Sequence, residues 1–107
     1  AREDDHDKGI EQLEMQARIL PHDADTHERL GKLLLGRQTR PEEARAHFQE
    51  LVRLRPKDAQ AVTGLGLAWI QLGDLAKAEK CFARAVELEP DSIKAQKLLD
   101  MARQGLR

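Results

Sequence analysis

Apolar residues return at helical spacing in six separate stretches of this chain. Between 8 and 20, Ile10, Leu13, Ala17 and Leu20 recur every three or four positions, which predicts an amphipathic helix ended by Pro21. Residues 1–7, AREDDHD, offer nothing to bury and read as a frayed acidic end before that helix. From 24, Leu30, Leu33 and Leu34 predict a second helix, closed by Gly36 and the polar run after it. Thr39, Pro41 and Glu42 form a start signal with capping-box spacing, and Ala44, Phe48, Leu51, Val52 and Leu54 supply the stripe of a third helix. Asp58 is placed to cap a fourth helix carrying Val62, Leu65, Gly66 and Trp69. Gly73-Asp74 makes a turn and caps a fifth, with Ala78, Phe82 and Ala85. After Pro90, Asp91 and Ser92 repeat the cap signal, and Ile93, Leu98, Leu99 and Ala102 predict a sixth helix reaching about 104.

Two of these helix pairs repeat one another. The order Leu65, Gly66, Trp69, Ala78, Phe82, Pro90 is matched by Leu30, Gly31, Leu34, Ala44, Phe48, Pro56, and the prolines stand 34 residues apart. Leu30 to Ala44 spans 14 positions and Leu65 to Ala78 spans 13, so the extra residue belongs in the turn near 36–41, where a loop absorbs it cheaply. Counted back from Pro21, Leu13 stands where Phe48 and Phe82 stand before their prolines, and Ile19 matches Leu54 and Leu88. The first helix therefore reads as the second half of a repeat without its first half. Leu99 falls 34 after Leu65, but Asp100 and Arg103 replace the glycine and the tryptophan, as suits a solvating end helix.

This order and period resemble the tetratricopeptide repeat, with Val62 and Trp69 at its two aromatic positions followed by Ala78, Phe82 and Pro90. The resemblance implies an all-α fold, a right-handed superhelical array of antiparallel helix hairpins with about six helices. The expected division of a single domain, 1–107, is an unpaired repeat helix at 8–20, full repeats at 24–58 and 59–92, and a capping helix at 93–105. Gly66 and Ala78 are the small residues at which paired helices would approach.

Composition narrows the function. A 40% hydrophobic, 35% charged chain with three aromatics and no tyrosine favours salt-bridged helices over a β fold. A net charge of -1 argues against nucleic acid, which demands a basic face. The single Cys81 excludes an internal disulfide and a cysteine-based zinc site. No apolar run approaches the roughly 20 residues that span a membrane, so direct membrane insertion is not expected. The chain starts at Ala1 without a methionine, which leaves open that it is a piece of a longer protein and leaves its compartment undetermined.

By resemblance, the first helix of each repeat would face a concave groove, with ligand-facing positions two, five, nine and twelve into each unit. Carried onto this chain, these are Asp25, Glu28, Lys32 and Leu35; Gln60, Thr63, Leu67 and Ile70; and Lys94, Lys97 and Met101. Residues 60, 63, 67, 70 and 71 share one helical face, which adds Gln71. An apolar floor of Leu35, Leu67, Ile70 and Met101 with a rim of Lys32, Lys94 and Lys97 suits an amphipathic or extended peptide with acidic flanks. The alternative is that these residues contact a neighbouring repeat, a missing helix or a symmetry mate. The resemblance also implies a clamp for a terminal carboxylate in some members. Glu28 and Gly64 stand where that clamp would want lysine and asparagine, and the chain contains no asparagine.

The expected function is thus a non-catalytic scaffold that binds a peptide or helix of a partner protein. The alternative is an assembly module that self-associates, or continues a longer array, through Ile10, Leu13, Ala17 and Ile19 of the open N-terminal helix. His22, Asp23, Asp25 and His27 read as a solvated turn, and His6 among Asp4, Asp5 and Asp7 as a polar tail. Cys81 reads as a half-buried packing residue with no histidine placed to activate it. Glu42, Glu43, Arg45, Glu79 and Arg84 read as surface charges in weak pairs. No phosphate-binding glycine loop is present, and no enzyme, cofactor or metal is expected.

Overall fold

The computed structural model describes residues 3–38 and 40–105, with side chains from Lys8 onward. Six helices follow one another: α1 (Glu3–Ile19), α2 (Ala24–Arg37), α3 (Pro41–Leu54), α4 (Ala59–Gln71), α5 (Leu75–Leu88) and α6 (Ile93–Gly105). No strand occurs among the described residues. α2 packs on α3, α4 on α5, and each hairpin on the next, with α1 against α2 and α6 against α5. The result is a stack measuring 39 × 27 × 20 Å.

Local chemistry sets the helix starts. The Asp58 carboxylate accepts from the amides of Gln60 (3.0 Å) and Ala61 (3.4 Å), Asp74 accepts from Lys77 (3.0 Å), and the Ser92 hydroxyl accepts from Ala95 (3.2 Å). Each satisfies amides that the first turn of a helix leaves unpaired. α2 differs: Asp23 occupies its cap position but accepts from the Thr26 hydroxyl at 2.6 Å and not from a backbone amide. Pro41 opens α3 behind Arg40, which makes no side-chain cap bond. The Thr39 half of the expected capping box lies outside the described residues.

Three local expectations change. α1 begins at Glu3 and not at 8, because acidic residues in a first turn complement the helix dipole. The tail side chains of Asp4, Asp5, His6 and Asp7 lie outside the described ones. α2 runs through Gly36 to Arg37 and is closed by Gln38, whose φ of 61° places it in the left-handed region and whose amide donates to Leu34 O. Finally, Ile10 is fully buried with Leu30, Leu34 and Ala44, and Leu13 and Ala17 pack on the same cluster. Those α1 residues find their partner in α2. Only Ile19 of the expected open set stays exposed, along with Met15 and Leu20.

The core is a row of small clusters, each shared between neighbouring helices. Phe48 and Leu51 of α3 meet Ala61 of α4; Val62 meets Ala85 and Ala95; Phe82 and Ala78 meet Leu99 and Ala102. Glycines make these contacts possible. A Cβ on Gly31 would come within 2.9 Å of the Phe48 ring, and one on Gly66 within 2.6 Å of Phe82. A Cβ on Gly64 would overlap the other edge of Phe48. Phe48 thus sits between glycines of two successive hairpins and fixes their spacing.

Candidate functional site

A cleft of about 370 Å³ opens along α2 and α4, the first members of the two hairpins, and α6. Lys32 and Leu35 of α2 form one wall. Gln60, Thr63, Gly64 and Leu67 of α4 form the middle. Glu89 and Ser92 of the α5–α6 turn, with Lys94 and Ala95 of α6, form the other wall. The buried ring of Phe48 borders the cleft beneath Gly64, in the space that a side chain at 64 would need.

Six of the expected groove residues therefore come together: Lys32, Leu35, Gln60, Thr63, Leu67 and Lys94. Their states differ. Leu35 and Leu67 are half-buried, each packed on a core cluster below. Thr63 is buried, and its hydroxyl donates to Ala59 O at 2.8 Å, so it presents its methyl group and little polar capacity. Lys94 has no ionic partner among the described residues, whereas Lys32 lies 3.6 Å from Glu28.

The remaining expected residues sit elsewhere. Asp25 and Glu28 form an acidic edge at the start of α2, held by Arg55 at 2.8 and 3.9 Å. The hydrogen bond that Arg55 donates to Asp25 raises the Arg55 pKa, and Glu28 contributes to the shift. Ile70 packs on the Phe82–Leu99 cluster, so its apolar character serves the core. Gln71 donates from Nε2 to Leu35 O at 2.8 Å. That carbonyl belongs to the last turn of α2, which leaves carbonyls without intrahelical donors. Gln71 is therefore a tie between α2 and α4, with its Oε1 buried and unpartnered. Lys97 and Met101 are exposed on α6, outside the cleft.

Phe48, Gly64, Glu89, Ser92 and Ala95 line the cleft without having been expected as ligand-facing positions. Gly64 carried a signal, since it is a second glycine in α4 that the repeat pattern does not explain. Glu89 and Ser92 lie in a turn, where helical periodicity says nothing.

The histidines depart furthest from expectation. His22 is exposed and sits 3.6 Å from Glu50, whose carboxyl is lowered to about 2, chiefly by the hydrogen bond from Arg53. His27, in contrast, is buried. Its Nδ1 lies 3.0 Å from Nδ1 of His47, and its Nε2 lies 2.7 Å from Pro21 O. A solvated turn is the wrong description of His27, because α3 returns His47 to it across 20 residues. Among the described residues no three His, Cys, Asp or Glu side chains are grouped to hold a metal. Cys81 is half-buried in α5, and burial pushes its thiol up to about 11, which keeps it protonated and poorly nucleophilic at neutral pH.

Helix hairpins stacked in one direction, with their first helices lining a continuous cleft, define a helical-repeat solenoid. Residues 29–93 match the tetratricopeptide repeat family, and the chain belongs to it. It is 47% identical over 45 residues to superkiller protein 3 of Schizosaccharomyces pombe, covering 42% of this chain and 3% of that protein. It is 31% identical over 84 residues to Hsp70-Hsp90 organizing protein 1 of Glycine max, covering 78% of this chain and 14% of that protein. The chain thus spans a small part of either relative. Among solved structures, MamA from Desulfovibrio magneticus RS-1 superposes with a TM-score of 0.86 at 26% identity, over 92% of this chain and 55% of that one. The first repeat domain of Spaghetti (RPAP3), solved bound to an HSP90 peptide, gives 0.86 at 22% identity, over 98% and 82%. No helix among the described residues is long and apolar enough to cross a membrane.

Proposed function

We infer that this chain is a non-catalytic interaction module that takes a peptide or helix of a partner protein into the cleft along α2, α4 and α6. The observation that carries this reading is the make-up of the cleft. An apolar floor of half-buried Leu35 and Leu67, laid over the buried Phe48 ring, lies beneath Lys32 and Lys94, the latter without an ionic partner among the described residues. Such a floor and rim fit an apolar side chain flanked by acidic residues, gripped by burial and oriented by charge. RPAP3 holds a peptide on the same fold, which supports the class of ligand and not its sequence. A terminal carboxylate is not the expected handle, since Glu28 places an acid at the α2 edge and Gly64 gives its position to the Phe48 ring.

The test uses Leu67→Glu and Lys94→Glu in the whole chain. Binding of an acidic, leucine-containing peptide, followed by fluorescence polarisation, should weaken by about tenfold or more for each, a loss of about 1.4 kcal/mol. Unchanged affinity in variants whose circular dichroism matches the parent overturns the assignment of the cleft.

A further inference from the structure

The His27–His47 contact has no part in the cleft, and its chemistry is constrained. Pro21 O can only accept, so His27 Nε2 carries the hydrogen in that 2.7 Å bond. In the neutral ring Nδ1 is then a lone-pair acceptor, and the 3.0 Å bond must be donated by His47 Nδ1–H. One chain of hydrogen bonds therefore runs from α3 through His27 to the turn after α1. It ties three elements together at the start of α2, whose cap residue holds no backbone amide.

Protons act on this chain in two steps. A first proton, on either ring, leaves one Nδ1–H···Nδ1 bond, because neutral His47 can carry its hydrogen on Nδ1 as donor or on Nε2 as acceptor. A second proton puts two N–H groups and two like charges face to face across 3.0 Å, and the bond is lost. We propose that the His27–His47 pair is an acid-released latch, holding the Pro21 turn and with it α1 on the repeat stack at neutral pH, and letting α1 go as both rings are protonated. The ring centroids lie only 5.2 Å apart, tilted by 36°, so two imidazolium charges would repel at close range between α2 and α3.

The groups around the pair set the window. Glu43 on α3 favours protonation of His47, but burial and the His27 ring outweigh it, and the His47 pKa is lowered from the ordinary 6.5. Glu50 also feels His27, yet it is held by Arg53 and His22. On the turn, Asp23 is occupied by Thr26, and Arg40 bridges Glu43 to Glu14 of α1. A depressed histidine value means that the released state binds protons more readily than the latched one. The latch is therefore complete above about pH 6.5 and weakens as pH falls below it. Side-chain carboxylates ordinarily titrate near 3.9–4.3, so the interval from 7.5 to 5.0 isolates the histidines.

Amide hydrogen exchange of the whole chain at pH 7.5 and 5.0, corrected for intrinsic rates, tests this. Protection of α1 should fall by about tenfold more than that of α4 and α5. In His47→Gln the amide can donate to neutral His27 or, turned over, accept from charged His27, so the acid-dependent loss should vanish; His22→Gln should keep it. An α1 whose protection tracks α4 and α5 at both pH values overturns the latch, as does a full loss persisting in His47→Gln. Should that variant not fold, ring titration of the parent by NMR decides: one histidine must titrate below 6.5 in step with the loss of α1 protection, and titration without that loss overturns the proposal.

Discussion

Phe48 and Phe82 show how single residues set the geometry of this stack. Each ring lies against a glycine backbone on a neighbouring helix, so the helices approach more closely than a side chain there would allow. Both rings are buried, worth about 1.5–3 kcal/mol each from transfer alone. Gly66→Leu must therefore displace Phe82 or open the α4–α5 hairpin, since even a Cβ there would lie 2.6 Å from the ring. We expect a loss of about 1–3 kcal/mol or more, measured by urea denaturation. A variant that melts like the parent would show that the hairpin relaxes without strain. Gly66 was recognisable as a contact point because it follows Leu65 in a pattern repeated at Gly31. Gly64 was not, because its partner Phe48 belongs to the preceding hairpin, and one helix's periodicity does not reveal which neighbour a face will meet. His27 and His47 were hidden for the same reason: nothing in the spacing of 27 and 47 says that α3 returns the second ring to the first.

At the scale of elements, caps and turns divide the helices into firmly and loosely started ones. Asp58 accepts two amides of α4, while the cap position of α2 spends its carboxylate on Thr26. Asp58→Ala should cost about 0.5–2 kcal/mol in chemical denaturation, whereas Asp23→Ala, which frees no cap amide, should cost less. An equal cost would mean that the Asp23–Thr26 bond substitutes for a cap in holding the turn. The helix boundaries were legible because proline, aspartate and serine act locally. Both α1 and α2 overran them, at Glu3 and Gln38, where packing or dipole effects extend a helix past its signals. The cleft was legible only in part. Helical phase located Leu35, Leu67 and Lys94, yet it also selected Ile70 and Gln71, which the neighbouring helices claim for a core contact and for the Leu35 carbonyl.

For the molecule as a whole, stability passes along the stack from neighbour to neighbour, because most packing joins adjacent helices. α6 is then more than a solvating lid. It covers Phe82 and Ala78 with Leu99 and Ala102, and it also supplies the Lys94 and Ala95 wall of the cleft. Exposed Lys97 and Met101, further along the helix, touch no core cluster. Leu99→Ala should therefore cost about 2–5 kcal/mol, while Met101→Ala should stay within about 0.5 kcal/mol of the parent. In a linear array the damage is ordered: hydrogen exchange in Leu99→Ala should quicken most in α6, less in α5 and least in α2. Equal loss of protection in all helices would show that the stack unfolds as one cooperative block. In that case α6 would influence the cleft through global stability and not by forming its wall.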